Sequence, residues 1–346
     1  MNRLVILAPN WLGDAVMALP AVADVRRHAP SASITVAARP SIAPLFTMVA
    51  EVDEVVDVER LQGEFDTALL LPNSFRSALL VARAGIPNRW GYRTQWRAPL
   101  LTKSAEPPQE VHQSEYYQRL VRALGFANGP AEPTIKVPAA VRDNGARLLA
   151  ECGCDLGPPI VALAPGAAYG GAKRWPPEYF AELAGTFAAD GIQTVMIGSP
   201  ADAQTATLVA RAFQASGGDD VARAFQASGG DDVAPAFQAR GPERAALRSL
   251  VGKTDLPTLA GVLANCRALV TNDSGAMHLA AAVGTPVTAV FGPTNERATF
   301  PRGEVHRVLT NPVWCRPCML RECPLDHRCM RGVAPQRVLA EARRSL

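Results

Sequence analysis

The amino-acid sequence predicts an α/β protein with parallel sheets, and three observations carry that expectation. Short apolar, often β-branched runs at 4–7, 160–163, 194–197, 268–271 and 287–291 alternate with helix-forming segments, as parallel strands covered by helices on both faces do. The same rhythm fills both halves of a 346-residue chain, which at ~150 residues per domain suggests about two domains. The loops after these strands collect glycines, hydroxyls and charges, and it is outside the carboxyl ends of strands that open α/β sheets bind ligands.

The chain opens with the strand at 4–7, the loop APNWLGD at 8–14 and a helix expected over 15–28. Asp14 stands at the start of that helix, where the dipole favours a carboxylate; a simple capping aspartate is the plainer alternative. Gly13 alone replaces the G-x-G-x-x-G of dinucleotide folds, so the loop lacks the backbone clearance a pyrophosphate needs. Asp14 is therefore assigned to chemistry and not to cofactor binding.

Between residues 67 and 105 there is no acidic side chain, whereas Arg76, Arg83, Arg89, Arg93, Arg97 and Lys103 are basic and Trp90, Tyr92 and Trp96 interleave with them. Such a mixture suits nucleic acid, an acidic sugar or a lipid headgroup surface, or is a solvated basic face. The net charge of +3 does not choose among these. Prolines and glycines at 129–144 mark a linker, and the division expected is 1–155 and 156–346.

In the second half, the strand at 160–163 runs into APGAAYGGAKRWP at 164–176, ahead of a helix beginning near Pro177. Its glycines allow close backbone approach, and Lys173 and Arg174 offer an anion a point charge and a planar fork. The order G-x-x-x-x-G-K-[ST] is absent, so this is no Walker A loop. NDSGAMHLAAAVGTP at 272–286 joins a strand end to a helix. Ser274 and Gly275 stand where unpaired N–H groups and the dipole suit a phosphate, or where an ordinary helix cap would stand. His278, one turn further, is a ligand group or a packed core histidine.

Two features lie outside this rhythm. ARAFQASGGDDV at 210–221 recurs unchanged at 222–233, too short and too few in copies for a solenoid, and is expected to form helical pieces and turns on the surface. Four thiols, Cys315, Cys318, Cys323 and Cys329, fall close together with His327 among them. A zinc site normally adds a second CxxC at regular spacing, and reduced cysteines or an oxidation product are the alternatives, so no metal is assigned.

Taken in chain order, NWLGDAVMALPAV, LLLPNSFRSALL, PGAAYGGAKRWPPEYF, VGKTDLPTLAGVLANC, NDSGAMHLAAA and FGPTNE resemble glycosyltransferase family 9, the ADP-heptose:lipopolysaccharide heptosyltransferases, over nearly the whole chain. The resemblance implies a GT-B architecture, two Rossmann-like doubly wound domains facing a central cleft, with the last helix packing back on the first domain. It implies inverting transfer of heptose from ADP-heptose to the heptose/Kdo inner core of lipopolysaccharide, the second heptose in preference to the first, with another sugar as the alternative within the family. Asp14 would then be the general base. Lys173, Asp273, Ser274, Gly275 and His278 would serve the donor's diphosphate and Thr254, in GKTDL, its nucleotide base, although a carboxylate at Asp273 would repel a diphosphate unless it caps the turn or orients a neighbour. Arg76, Arg93 and Arg97 would meet the anionic acceptor. No cofactor, metal or nucleic acid is expected.

A non-catalytic nucleotide-sugar-binding protein would keep the phosphate loops and could lose Asp14. An NAD-dependent oxidoreductase would need the glycine fingerprint that is missing. The N-terminus lacks the h-region of a signal peptide, and no window approaches ~18 uninterrupted apolar residues. A cytoplasmic protein, with peripheral contact at the inner membrane face, is the expectation.

Overall fold

The computed structural model describes residues 1–61, 64–217 and 247–346. The chain forms two compact units, the first made of Met1–Lys136, Ala281–Val283 and Arg297–Gly303, the second of Val137–Ala280, Gly284–Glu296 and Glu304–Leu346. The division falls inside the expected linker but ahead of residue 155, so the helix that follows the linker belongs to the second unit.

Among the described residues the strands build two six-stranded sheets, every pairing parallel. The first unit contains β1 (Arg3–Leu7), β2 (Ser33–Ala38), β3 (Glu54–Asp57), β4 (Thr67–Leu70), β5 (Asn88–Tyr92) and β6 (Lys103–Ala105). The second contains β7 (Ile160–Ala164), β8 (Gln193–Met196), β9 (Leu247–Ser249), β10 (Ala268–Asn272), β11 (Val287–Phe291) and β12 (Arg307–Thr310). The orders are β3-β2-β1-β4-β5-β6 and β12-β11-β10-β7-β8-β9. Counted within its own unit, each sheet has the Rossmann order 3-2-1-4-5-6. The order reverses between β1 and β4, in register Leu4↔Thr67, and between β7 and β10, in register Val161↔Ala268.

The first unit's helices are α1 (Leu12–Met17), α2 (Leu19–His28), α3 (Ala43–Phe46), α4 (Phe75–Arg83) and α5 (Gln113–Ala123). The second's include α6 (Ala139–Glu151), α7 (Pro177–Ala189), α8 (Ala203–Ala215), α9 (Leu256–Ala264) and α10 (Gly275–Ala282); α11 (Glu296–Thr299) stands where the chain enters the Arg297–Gly303 segment of the first unit, and α12 (Arg328–Arg331) and α13 (Pro335–Arg343) belong to the second. The single helix expected over 15–28 is two, because Pro20, in the first turn of α2, has no N–H to continue the ladder of α1. Buried Asp24 ties α2 to α5 by accepting from Gln118 Nε2 at 2.9 Å, and it pairs with Arg27.

Each sheet buries its own core. Val5, Leu7, Ala68 and Leu70 pack against Ala78 and Val81 of α4. In the second unit, Val161, Leu163, Val270 and Val290 pack with Trp175, Phe180 and Phe187. Val338 and Ala342 of α13 join this second core, and α13 rests on α7, β10, β11 and β12. Within its own unit, the apolar face of α13 is spent on the second sheet. α6 lies against α9 so closely that a Cβ on Gly145 would meet the backbone of Gly261, and one on Gly261 the carbonyl of Val141. The tandem duplication begins in α8, and from residue 218 its expected helical pieces and turns lie outside the described residues. Among the described residues no helix is long and apolar enough to cross a membrane.

Candidate active site

At the first crossover, β1 delivers the chain to Trp11, the cap of α1, whose side chain leaves the helix N-terminus unbonded. Asp14 is in the first turn of α1 and half-buried. Its charge acts on Tyr117 of α5, whose phenol burial first, and then Asp14, push well above the usual range. The loop after β4 supplies Asn73 and Ser74. Ser74 Oγ caps α4 by accepting from the N–H of Ser77 at 3.2 Å, and Asn73 Nδ2 donates to Tyr116 Oη at 2.8 Å.

Arg97 lies beneath that loop with 0% exposure. Its Nε donates to the carbonyl of Tyr92 at 2.7 Å, and its Nη1 to that of Pro72 and to Ser77 Oγ at 3.2 Å. The acceptor-binding expectation for Arg97 is therefore corrected: the guanidinium is consumed in holding the ends of β4 and β5 together, and its burial lowers its pKa to about 10. Arg76 and Arg93 remain at the surface, paired with Glu59 and Glu106, which flank the acid-free stretch.

At the second crossover, Asn272 at the end of β10 reaches across to the loop after β7. Its Nδ2 donates to the carbonyls of Pro165 and Gly166, at 2.8 and 3.2 Å, and its Oδ1 accepts from the N–H of Trp175 at 3.0 Å. This clamp sets Lys173 beside Asp273, with Nζ 2.6 Å from Oδ2 and both side chains largely buried. Thr294 Oγ1 donates to the same Oδ2 at 2.7 Å, and the ammonium stands 4.7 Å from the Tyr169 ring centroid. Asp273 thus orients a neighbour, the resolution of its awkward charge. Ser274 Oγ lies 3.0 Å from Thr271 Oγ1 and accepts from the N–H of Met277 at 3.4 Å, ahead of α10, which begins at Gly275. His278 is buried in the first turn of that helix. Arg174 Nε is buried and has no hydrogen-bond partner among the described residues.

Thr254 is half-buried between β9 and α9, one residue before the cap Asp255, on a loop two strands from β7. The structure joins Lys173, Asp273 and Ser274 at one crossover and sets Thr254 at the same end of the sheet, towards its edge.

The glycines after β7 do something other than wait for a phosphate. A Cβ on Gly170 would meet the carbonyl of Arg321, and one on Gly171 would come 2.6 Å from the Glu322 carboxylate. Ala172 N–H donates to the Arg321 carbonyl at 2.9 Å, Gly171 N–H to Glu322 Oε1 at 3.0 Å, and Tyr169 Oη to the Met319 carbonyl at 2.7 Å. The cysteine-rich segment is thus a strap over the Lys173 loop. Arg316 anchors it with Nε on the Gly292 carbonyl at 2.9 Å and Nη2 on Glu296 at 2.8 Å. The four cysteines carry no disulfide, and among the described residues no three His, Cys, Asp or Glu side chains are placed to hold a metal ion. FGPTNE and NDSG carry Thr294, Glu296 and Asn272, which have no evident role in the sequence alone; their shared signal is polar side chains at or just past the end of an apolar strand.

Two Rossmann-ordered units in one chain, neither with a dinucleotide glycine fingerprint, and both with charge at the crossover, fit the GT-B class of glycosyltransferases. The chain belongs to glycosyltransferase family 9 (heptosyltransferase), whose pattern it matches over residues 58–218 and 233–328. It is 28% identical to lipopolysaccharide heptosyltransferase 2 of Salmonella typhimurium over 98% of this chain and 97% of that one. The solved structure of E. coli ADP-heptose lps heptosyltransferase II superposes with a TM-score of 0.75 at 29% identity, covering 100% of this chain and 98% of the other. Lipopolysaccharide heptosyltransferase 1 of Pseudomonas aeruginosa is 24% identical over 93% and 87% of the two chains.

Proposed function

We propose that this glycosyltransferase moves heptose from ADP-heptose to the heptose/Kdo inner core of lipopolysaccharide, adding the second heptose, with inversion at the anomeric carbon. The observation that carries the reading is the pair of unlike crossovers, a carboxylate after β1 and a carboxylate-held ammonium after β7. The closer, fuller likeness to heptosyltransferase 2 than to heptosyltransferase 1 supports the second heptose.

In this reading Asp14 accepts the proton of the acceptor hydroxyl as its oxygen bonds to the anomeric carbon, and ADP leaves on the opposite face. A positioned carboxylate supplies the first step, and fixed donors meet the charge that develops on the departing diphosphate. Lys173, oriented by Asp273, the N–H groups at Ser274 and Gly275, and His278 are those donors, and an anion at this loop would satisfy Arg174 Nε. Thr254 contributes to the nucleotide-base pocket. Arg76 and Arg93 face the acceptor's anionic groups. Because the acceptor is anchored in lipid, the protein works from the cytoplasm with peripheral contact at the inner membrane, a role suited to Trp96, which is 93% exposed.

Incubation with ADP-heptose and truncated core acceptors, in buffer containing EDTA, followed by mass measurement, tests the reading. One added heptose on an acceptor that already carries the first is expected. Addition only to a heptose-free acceptor would reassign the chain to the first heptose, and no addition from ADP-heptose to any core would overturn the substrate. Activity lost in EDTA and restored by Mg²⁺ would show that the protein donors do not suffice.

A further inference from the structure

Ahead of β7, the sequence Cys152-Gly153-Cys154 leads from α6 towards that strand. Cys152 ends the helix and Gly153 adopts φ = +90°, a conformation that glycine enters without steric cost. The turn brings the two sulfur atoms to 3.7 Å. Cys152 is half-buried, whereas Cys154 and Cys266 are buried. Arg248 of β9 lies over the turn, its guanidinium 3.2 Å from where a Cβ on Gly153 would stand.

The electrostatics separate the two thiols. The Cys152 S–H reaches the Leu149 carbonyl at 3.1 Å, and either sulfur can donate in the contact between the two thiols; when Cys152 ionises, the hydrogen bond with Cys154 favours its charged form and lowers its pKa to about 7 against the cost of burial, helped by the Cys154 N–H, Arg248 and Lys253. Cys154 is raised far above the usual thiol range by donating that bond and by burial. Cys266 is pushed up to about 12, by burial first and then by the Cys152 charge. The thiolate is the reactive form of cysteine, and nearby cations with partial exposure mark the reactive ones.

We propose that Cys152 and Cys154 form a reversible, peroxide-sensitive dithiol, with Cys152 as the oxidised thiol and Cys154 as the resolving one. The Cys152 sulfur attacks the O–O bond of hydrogen peroxide, forming S–OH and releasing hydroxide, which takes up a proton to become water. Cys154 then gives up its proton and attacks the Cys152 sulfur; the S–S bond forms and the hydroxyl departs with that proton as a second water. Two thiols and one peroxide thus give one disulfide and two waters. The sulfurs close from 3.7 Å to ~2.05 Å by side-chain rotation. A ring spanning one intervening residue is strained, so the bond is easily reduced.

The test treats the full chain with hydrogen peroxide at neutral pH, blocks the remaining thiols and maps the peptides by mass. A Cys152–Cys154 disulfide that dithiothreitol removes is expected. In Cys154→Ser, the sulfenate reagent dimedone should accumulate on Cys152. On the unaltered chain, which needs no variant to fold, iodoacetamide labelling of Cys152 should rise through a midpoint near pH 7. In the variant Arg248→Met, labelling at that pH should slow by roughly threefold. Both thiols remaining reduced, Cys152 pairing with Cys266 instead, or dimedone trapped at another cysteine would each overturn the proposal.

Discussion

The two units wind their strands in the same order and reverse direction between equivalent strands, and they differ in what stands at the reversal. After β1 there is a carboxylate in the first turn of a six-residue helix, beside a loop of neutral side chains, Asn73 and Ser74. After β7 and β10 there is an ammonium buried against a carboxylate, itself held by Thr294 and placed by the Asn272 clamp. A carboxylate can take a proton from a hydroxyl, whereas an ammonium opposes charge on a leaving group. The scaffold fixes where chemistry can happen, and on the proposed roles a few loop residues decide which half of a transfer each unit serves.

The largest effect expected is at the first crossover. Asp14→Asn keeps shape and removes the proposed base, so turnover should fall on the order of 10²–10⁴, with ADP binding by calorimetry unchanged because the proposal assigns ADP to the other unit. Weakened ADP binding, or turnover within a few-fold of the parent, would end the division between the units. Next comes Lys173→Ala, which should lower kcat by about 10²–10³ and weaken ADP-heptose binding as well. It also leaves Asp273 buried without its cation, a cost in stability. The double variant Lys173→Ala, Asp273→Asn should recover thermal stability but not turnover. Recovery of both would reduce the pair to a structural bridge.

Where the two units differ in legibility, distance along the chain is the reason. Strands such as β1, β7 and β11 were visible as apolar runs, since a strand buried on both faces needs no partner to be recognised. Asp273 was not placed, because its cation is 100 residues away. The glycines Gly170 and Gly171 suggest close approach of a phosphate, and nothing near them in sequence announces that Arg321 and Glu322 cover them. Arg97 shares spacing and charge with Arg93, and only the fold decides that one guanidinium is inside the protein and the other outside. The split at Ala18 was missed because Pro20 also suits the first turn of a helix.

A smaller effect probes how the first unit holds residues from the far half of the chain. His112 caps α5 through Nδ1, which accepts from the Ser114 N–H at 3.1 Å and from Arg302 Nε at 3.2 Å, while Nε2 donates to the Phe300 carbonyl at 2.9 Å. Burial chiefly, and then Arg302, lower its pKa to about 4, only partly offset by the Phe300 bond. The unfolded chain, with an ordinary value of 6.5, therefore binds the extra proton between pH 6.5 and 4. Stability from this group is complete above pH 6.5 and is lost as pH falls towards 4. Denaturant titrations across that range should show His112→Gln with a flatter slope than the parent by up to one proton. Parallel slopes would mean that His112 does not secure Arg297–Gly303.

The smallest effect concerns the surface of the first unit. Arg76 and Arg93 are exposed and already paired with Glu59 and Glu106, and exposed pairs of this kind are worth only about 0.2–1 kcal/mol each. Replacing both by Gln should therefore raise the acceptor KM by roughly two- to fivefold and leave the donor KM unchanged. The rise should shrink in high salt, where the parent's charges are screened as well. Arg97→Gln belongs to a different class, because its loss strips partners from the carbonyls of Tyr92 and Pro72; it should lower thermal stability before it touches either KM. Kinetics in both substrates at two ionic strengths, read beside melting curves, separate these outcomes. If the Arg76, Arg93 variant matched the parent in acceptor KM at low salt, the acid-free stretch would be a solvated face, and acceptor recognition would rest on the Asp14 and Asn73 loops alone.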